Sequence, residues 1–177
     1  SAVTEFYNLT VDTGATMSID AGIAQANVKN VFQNDGTFTA GSSTVYFTGT
    51  TAEIKGASAS TFNNAQVTGT LTLNAGSDAT VSGTLTVTST GTLTMNGSAV
   101  LRLGTPSTAG TAVIQGLFQT SGTTPTVTDK GARFSFTVSG ASGKVLINNI
   151  TFNNPDINGL SIANTANTGF DIDYAAF

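Results

Sequence analysis

The stretch from Thr68 to Leu103, TGTLTLNAGSDATVSGTLTVTSTGTLTMNGSAVLRL, restricts the fold more than any other part of the chain. A Gly-Thr-Leu-Thr-apolar unit occurs in it three times, at Gly69–Leu73, Gly83–Val87 and Gly91–Met95. Apolar and hydroxyl residues alternate inside each unit. Leu71 and Leu73, Leu85 and Val87, and Leu93 and Met95 share one side; the threonines between them share the other. Period-two alternation marks a strand with one buried face. Threonine suits a strand and keeps the wet face polar without charge. Small turn residues separate the units (Asn74, Gly76, Ser77 and Asp78; Ser89; Asn96, Gly97 and Ser98). Apolar positions recur about every eight residues, at Leu71, Ala79, Val87, Met95 and Leu103. One strand and one turn per eight residues, with no helix signal, predicts a chain that coils around a single axis.

The rest of the chain extends the pattern. Residues 4–20 read as two short strands about a turn at Asp12-Thr13-Gly14, and residues 21–33 as strand, since Asn27 and Asn30 disfavour helix. Strands follow at Thr37–Thr39, Val45–Phe47 and Ala52–Ile54, and later at Arg133–Ser139 and Lys144–Phe152. Residues 119–132, polar and with Pro125 inside, are expected to be an excursion from the coil. Thr-Phe-Asn-Asn occurs at Thr61–Asn64 and again at Thr151–Asn154. That spacing is roughly four coils of about 22–24 residues, the length that three eight-residue faces also require. The predicted fold is all-β, a right-handed parallel β-helix of about seven coils forming one domain over residues 1–177, a rod about 35 Å long.

The surface must be made polar with little charge. The chain has six basic and ten acidic residues, while Thr and Ser make up about 28 % of it. A charge-poor, hydroxyl-rich surface is typical of secreted and cell-surface proteins, and the expected location is extracellular. There is no cysteine and no histidine, which excludes disulfides, thiolate chemistry and Ser-His triads. No apolar run is long enough for a membrane-spanning helix. Lys29, Lys55, Arg102, Lys130, Arg133 and Lys144 are scattered, which argues against nucleic acid.

Several phrases resemble a known family. FYNLTVDTGATMSI, NDGTFTAGSSTVYFTGT, ASTFNNAQVTGTLTLNAGSDATVSGTLTVTSTGTLTMNGSA and VLINNITFNN are similar to the parallel β-helix repeats of large secreted prokaryotic surface proteins, adhesin-like or matrix-forming. The resemblance covers most of the chain, least so residues 104–147. Its motifs are packing motifs, so it implies an extracellular structural or adhesive role without marking a site.

A polysaccharide lyase on this fold needs clustered acids and a basic proton acceptor. Asp12, Asp20, Asp35, Glu53, Asp78, Asp129 and Asp156 stand alone in sequence, mostly at turns, and Arg102 and Arg133 read as solvated strand residues. Asp171 and Asp173 form the one pair on a strand face, a calcium candidate needing ligands from elsewhere. No cofactor and no enzymatic activity is expected. The pairs Thr70/Thr72, Thr84/Thr86 and Thr92/Thr94 suggest an ice- or carbohydrate-binding face, although consecutive eight-residue units fall on different faces.

The ends carry the stronger expectation. A coil's last strands leave unpaired backbone groups, and solenoids commonly cap them with a helix or a charged coil. Neither is visible here. Phe6, Tyr7 and Leu9 in the first coil, and Phe170, Ile172, Tyr174 and Phe177 in the last, are the expected assembly surface. The partner is another copy, head to tail, or flanking repeats of a longer chain; a heterologous contact of that kind yields an open filament.

Overall fold

A computed structural model describes residues 3–19 and 25–163, together with the backbone of residues 171–173. Every regular element in them is a strand, and every pairing is parallel. The chain winds as a parallel β-solenoid of seven coils and the start of an eighth. The first coil holds β1 (Val3–Val11) and β2 (Thr16–Ser18), and the second holds β3 (Gln25–Asn34) and β4 (Thr37–Thr39). From the third onward each coil has three strands. These are β5 (Thr44–Phe47), β6 (Ala52–Lys55) and β7 (Ser60–Phe62); then β8 (Asn64–Val67), β9 (Thr70–Leu73) and β10 (Asp78–Val81). The fifth coil has β11 (Thr84–Val87), β12 (Thr92–Asn96) and β13 (Val100–Leu103); the sixth has β14 (Thr111–Ile114), β15 (Leu117–Ser121) and β16 (Thr126–Asp129). The seventh has β17 (Phe134–Val138), β18 (Lys144–Asn148) and β19 (Thr151–Asn153), and β20 (Pro155–Ile162) and β21 (Asp171–Asp173) begin the next.

Three faces result. Face one stacks β5, β8, β11, β14, β17 and β20, and face two stacks β6, β9, β12, β15, β18 and β21. Face three is the seven-stranded sheet from β2 to β19. Faces one and two merge at one end because β3 runs round the corner. Its residues Gln25–Val28 pair with β5, and Val31, Phe32 and Gln33 pair with β6. The eight-residue rhythm maps onto this directly: Leu71, Ala79, Val87, Met95 and Leu103 lie on faces two, three, one, two and three, all buried.

Coil length is less uniform than 22–24 residues. The step between paired residues runs from 19 (Ala52 to Leu71) to 27 (Thr84 to Thr111). Residues 119–132 are a correction to the expected excursion: they hold the end of β15 and all of β16, which pairs with β13 and β19. Thr126, Val127 and Thr128 alternate as a strand requires. Pro125 sits just ahead of it, where no N–H is needed, and the first strand amide, Thr126 N–H, bonds Ala99 O at 2.9 Å.

Side-chain volume varies along the axis. Phe32, Phe38, Phe47 and Phe62 pack edge to face near the first coils, with centroids 4.7–5.8 Å apart. Phe118, Phe136 and Phe152 do the same near the last, at 5.1–5.3 Å. Each group draws rings from all three faces. Between them the repeat units supply only aliphatic side chains, around an apolar void of ≈ 20 Å³ next to Ala65 and Ala79. A space that small and that apolar is dry packing slack rather than a ligand site.

Glycine does two different jobs. In the turns from face two to face three, Gly14, Gly76 and Gly97 have positive φ. At the corner from face one to face two, Gly49, Gly69, Gly91 and Gly116 do not. They are needed because the backbone of the coil beneath lies where a Cβ would be. Each corner carbonyl accepts from the next coil: Thr70 N–H to Gly49 O, Thr92 N–H to Gly69 O, Leu117 N–H to Gly91 O and Lys144 N–H to Gly116 O, all at 2.8–2.9 Å.

Candidate interface at the coil ends

Stacking parallel strands leaves one unpaired edge at each end of every face. Among the described strands, β1 and β2 pair on one side alone at one end, with β3 and β4. At the other end β19, β20 and β21 pair only with β16, β17 and β18. Their outer N–H and C=O groups point along the axis, in position to extend the ladder.

Exposed apolar side chains concentrate at the same two places. The large hydrophobics exposed among the described residues are Val3 (51 %), Tyr7 (68 %), Ile157 (93 %) and Ile162 (38 %). The first two belong to β1 and the last two to β20. Phe6 points inward and is only half-buried, as are Met17 in β2 and Leu160 in β20, because no further coil covers them.

The expected assembly residues fall into three groups. Phe6 and Leu9 line the inner side of the first coil, and Leu9 is already buried by β3. Tyr7 sits at a register shift between Phe6 and Asn8. Ile172 lies in β21 opposite Ile147, with Asp171 opposite Leu146 and Asp173 opposite Asn148. Phe170, Tyr174 and Phe177 lie outside the described residues. The sequence reading missed Val3, Met17, Ile157 and Ile162. Ile157 had a usable signal: it is an isolated apolar residue inside the turn-forming run Asn153-Asn154-Pro155-Asp156 and Asn158-Gly159.

That run is a bulge in β20. Phe134 is opposite Pro155, but Phe136 is opposite Leu160, so extra residues loop out between them. Asn158 N–H donates to Asp156 Oδ1 at 2.9 Å, and Gly159 has φ +60°. The loop overhangs the outer side of face one and leaves a recess of ≈ 80 Å³ against Ser135 and Thr137.

The threonine pairs do not form one plane. Thr70 and Thr72 stand directly beneath Thr92 and Thr94 on face two, whereas Thr84 and Thr86 are on face one. The face-two column runs on through Glu53 below and Gln119 above, and Gln119 Nε2 donates to Thr94 Oγ1 at 2.9 Å. Face one is the less charged surface: from β5 to β17 its outer positions are Thr44, Tyr46, Asn64, Gln66, Thr84, Thr86, Thr111, Val113, Ser135 and Thr137.

Glu5, Asp35, Glu53 and Asp78 tie coils together, Asp129 and Asp156 brace their own turns, and among the described residues no three of His, Cys, Asp or Glu come together as a metal site. Asp78 and Arg102 pair across coils on face three, with Nε and Nη2 both within 3.1 Å of the carboxylate. Three acids are held below the usual carboxylate range. Hydrogen bonds from Lys29 (2.9 Å) and then Asn27 (3.4 Å) do this to Glu5. The Gln33 amide and then the Ala57 N–H do it to Asp35. The Asn74 amide (2.7 Å) and then Lys55 (3.0 Å) do it to Glu53.

Gln33 and Lys55 lie in the acid's own coil, whereas the bonds from Asn27 and Lys29, Ala57 and Asn74 join the first coil to the second, the second to the third and the third to the fourth. A carboxylate with a depressed folded pKa adds stability that is complete above its unfolded pKa, about 4, and is lost as pH falls through the folded value. Acidification from about pH 5 to about pH 2 should therefore loosen the first four coils before the later ones. Hydrogen exchange read coil by coil checks this; equal loss of protection in β14–β18 would contradict it.

No protein-family model, curated protein or solved structure matches this chain.

Proposed function

We propose that this is a non-enzymatic extracellular structural protein of the cell surface, a subunit that assembles with itself by stacking coil on coil. The observation that carries the reading is the coincidence at the ends. Among the described strands all three faces stop half-paired there, and the exposed large hydrophobics among the described residues sit on the same terminal strands. Both ends have the same parallel polarity, so a second copy added head to tail continues every ladder without reversing a strand. Such a contact does not close on itself and grows a filament. The charge-poor, hydroxyl-rich composition and the lack of cysteine suit an extracellular scaffold that needs no disulfide staples. The same ends fit the flanking coils of a longer adhesin-like chain, with the same strand addition made within one polypeptide.

Face one has eight stacked levels among the described strands, so the filament should show an axial repeat of about 38 Å, at 4.8 Å per strand. Sedimentation at increasing concentration and negative-stain microscopy test it. A single monomeric species at every concentration, with no fibres, ends the reading. The outer side of face one, uncharged from β5 to β17, also suits a neutral polyhydroxyl surface, ice or polysaccharide. Blank ice-shaping and polysaccharide-binding assays would end that second reading.

A further inference from the structure

Given end-to-end assembly, on which this inference rests, we infer that the junction is keyed in rotation. Face one of each copy continues onto face one of the next, which sets the Asp156–Gly159 bulge on the outer side beside the seam and Ile157 against Val3 of the following copy.

A coil with three faces offers three ways to stack, and the terminal strands distinguish them. On face one the free edges are irregular: β1 passes onto face two after Phe6, and β20 bulges between Pro155 and Leu160. On face three they are short, with three residues each in β2 and β19. Only the aligned arrangement sets the irregular edge of β20 against that of β1 and leaves the plain three-residue edges of β2 and β19 together.

The side-chain columns agree. Thr4, Ala26, Val45, Ala65, Leu85, Ala112, Phe136 and Leu160 are successive partners in one inward column. Extending the register by one level puts Thr4 of the next copy over Leu160, Glu5 over Ser161 and Phe6 over Ile162. Ile162 belongs to the column of Val138 and is exposed because nothing covers it. Phe6 belongs to the column of Val28 and is half-covered from the opposite side. Each lacks the surface the other supplies.

The same step places Val3 of the next copy over Gly159, at the foot of the bulge. Val3 points outward there, and the loop carrying Ile157 lies on that outer side. Rotation by one face would set Ile157 beside Thr16 and Ser18, which are exposed and polar, and the apolar contact would be lost. Burying two exposed aliphatic side chains together favours the aligned form.

The absence of native cysteine makes the test direct. In a Val3→Cys/Ile157→Cys variant, mild oxidation of assembled protein should give a ladder of covalent dimers, trimers and higher multimers on non-reducing gels. Either single-cysteine variant should stay monomeric. A Ser18→Cys/Ile157→Cys variant, off by one face, should also give no ladder. All three positions are exposed, so the fold should survive, and circular dichroism verifies it. If filaments form but the matched pair gives no ladder, or the off-face pair gives one, or a single variant dimerises, the keyed alignment is wrong and the filament reading stands. If no filaments form at all, both fall.

Discussion

Replacing Phe62 by alanine should lower the unfolding free energy by about 3–5 kcal/mol, a large share of what holds a domain of this size together. Phe62 is fully buried on face three and meets Phe32 from face two, Phe38 from its own face and Phe47 from face one. It is the one ring in contact with the other three, so its loss unties all the faces at that level. Edge-to-face pairs add about 0.5–1.5 kcal/mol each beyond area burial. The adjoining void of ≈ 20 Å³ is lined in part by Phe62, so truncation enlarges an existing gap instead of letting the walls close. Chemical denaturation measures the loss, with Tyr46→Ala on the outside of β5 as the comparison. A cost below about 1 kcal/mol would mean that the ring cluster is not a fastening point.

The Gly69→Ala variant should be destabilised comparably, by about 3 kcal/mol or more, although it adds only a methyl group. The new Cβ would fall on the Gly49 carbonyl, with Thr48 O at 2.8 Å. These are backbone atoms and have no rotamer to escape into. Relief requires moving the corner, which disturbs the bonds from Thr70 N–H to Gly49 O and from Thr92 N–H to Gly69 O. Gly76→Ala separates this cause from conformational strain. Gly76 has φ +79° and open space around its Cβ position, so alanine there should cost only about 1–2 kcal/mol. If the two variants lose the same amount, close approach at the corner is not what selects glycine.

Much of this architecture was legible in the residues. Alternation in Thr-Leu-Thr-Leu identified strands and their inward side, because successive side chains of an extended chain must point in opposite directions. The eight-residue rhythm assigned consecutive units to different faces, since a strand and a tight turn use a set length of chain. The candidate site was legible only in part. Phe6 was picked out as an apolar residue of the first coil, but Ile157 was not, because its exposure follows from a register shift between β17 and β20.

The two Thr-Phe-Asn-Asn segments show where local reading stops. They lie on the same face and four coils apart, as the spacing required, in β7 and β19. Yet Phe152 stands in the column of Val127, Leu101, Ala79 and Ser60, whereas Phe62 stands in that of Val81 and Leu103. Coil steps of 19 to 27 residues moved identical words two positions out of register. Likewise, glycine at a corner and glycine in a turn look the same on paper, and only the neighbouring coil tells them apart.

Local alternation and spacing were enough for most strands, β16 excepted, for their buried sides and for the order in which the faces are visited. All of these follow from backbone geometry and from keeping apolar groups away from water within a few residues. The tertiary structure decided which residues stack on which, how closely the corners approach and which apolar side chains remain uncovered. Those depend on turn lengths and side-chain volumes summed over coils about twenty residues apart, and no local window of the chain contains that sum.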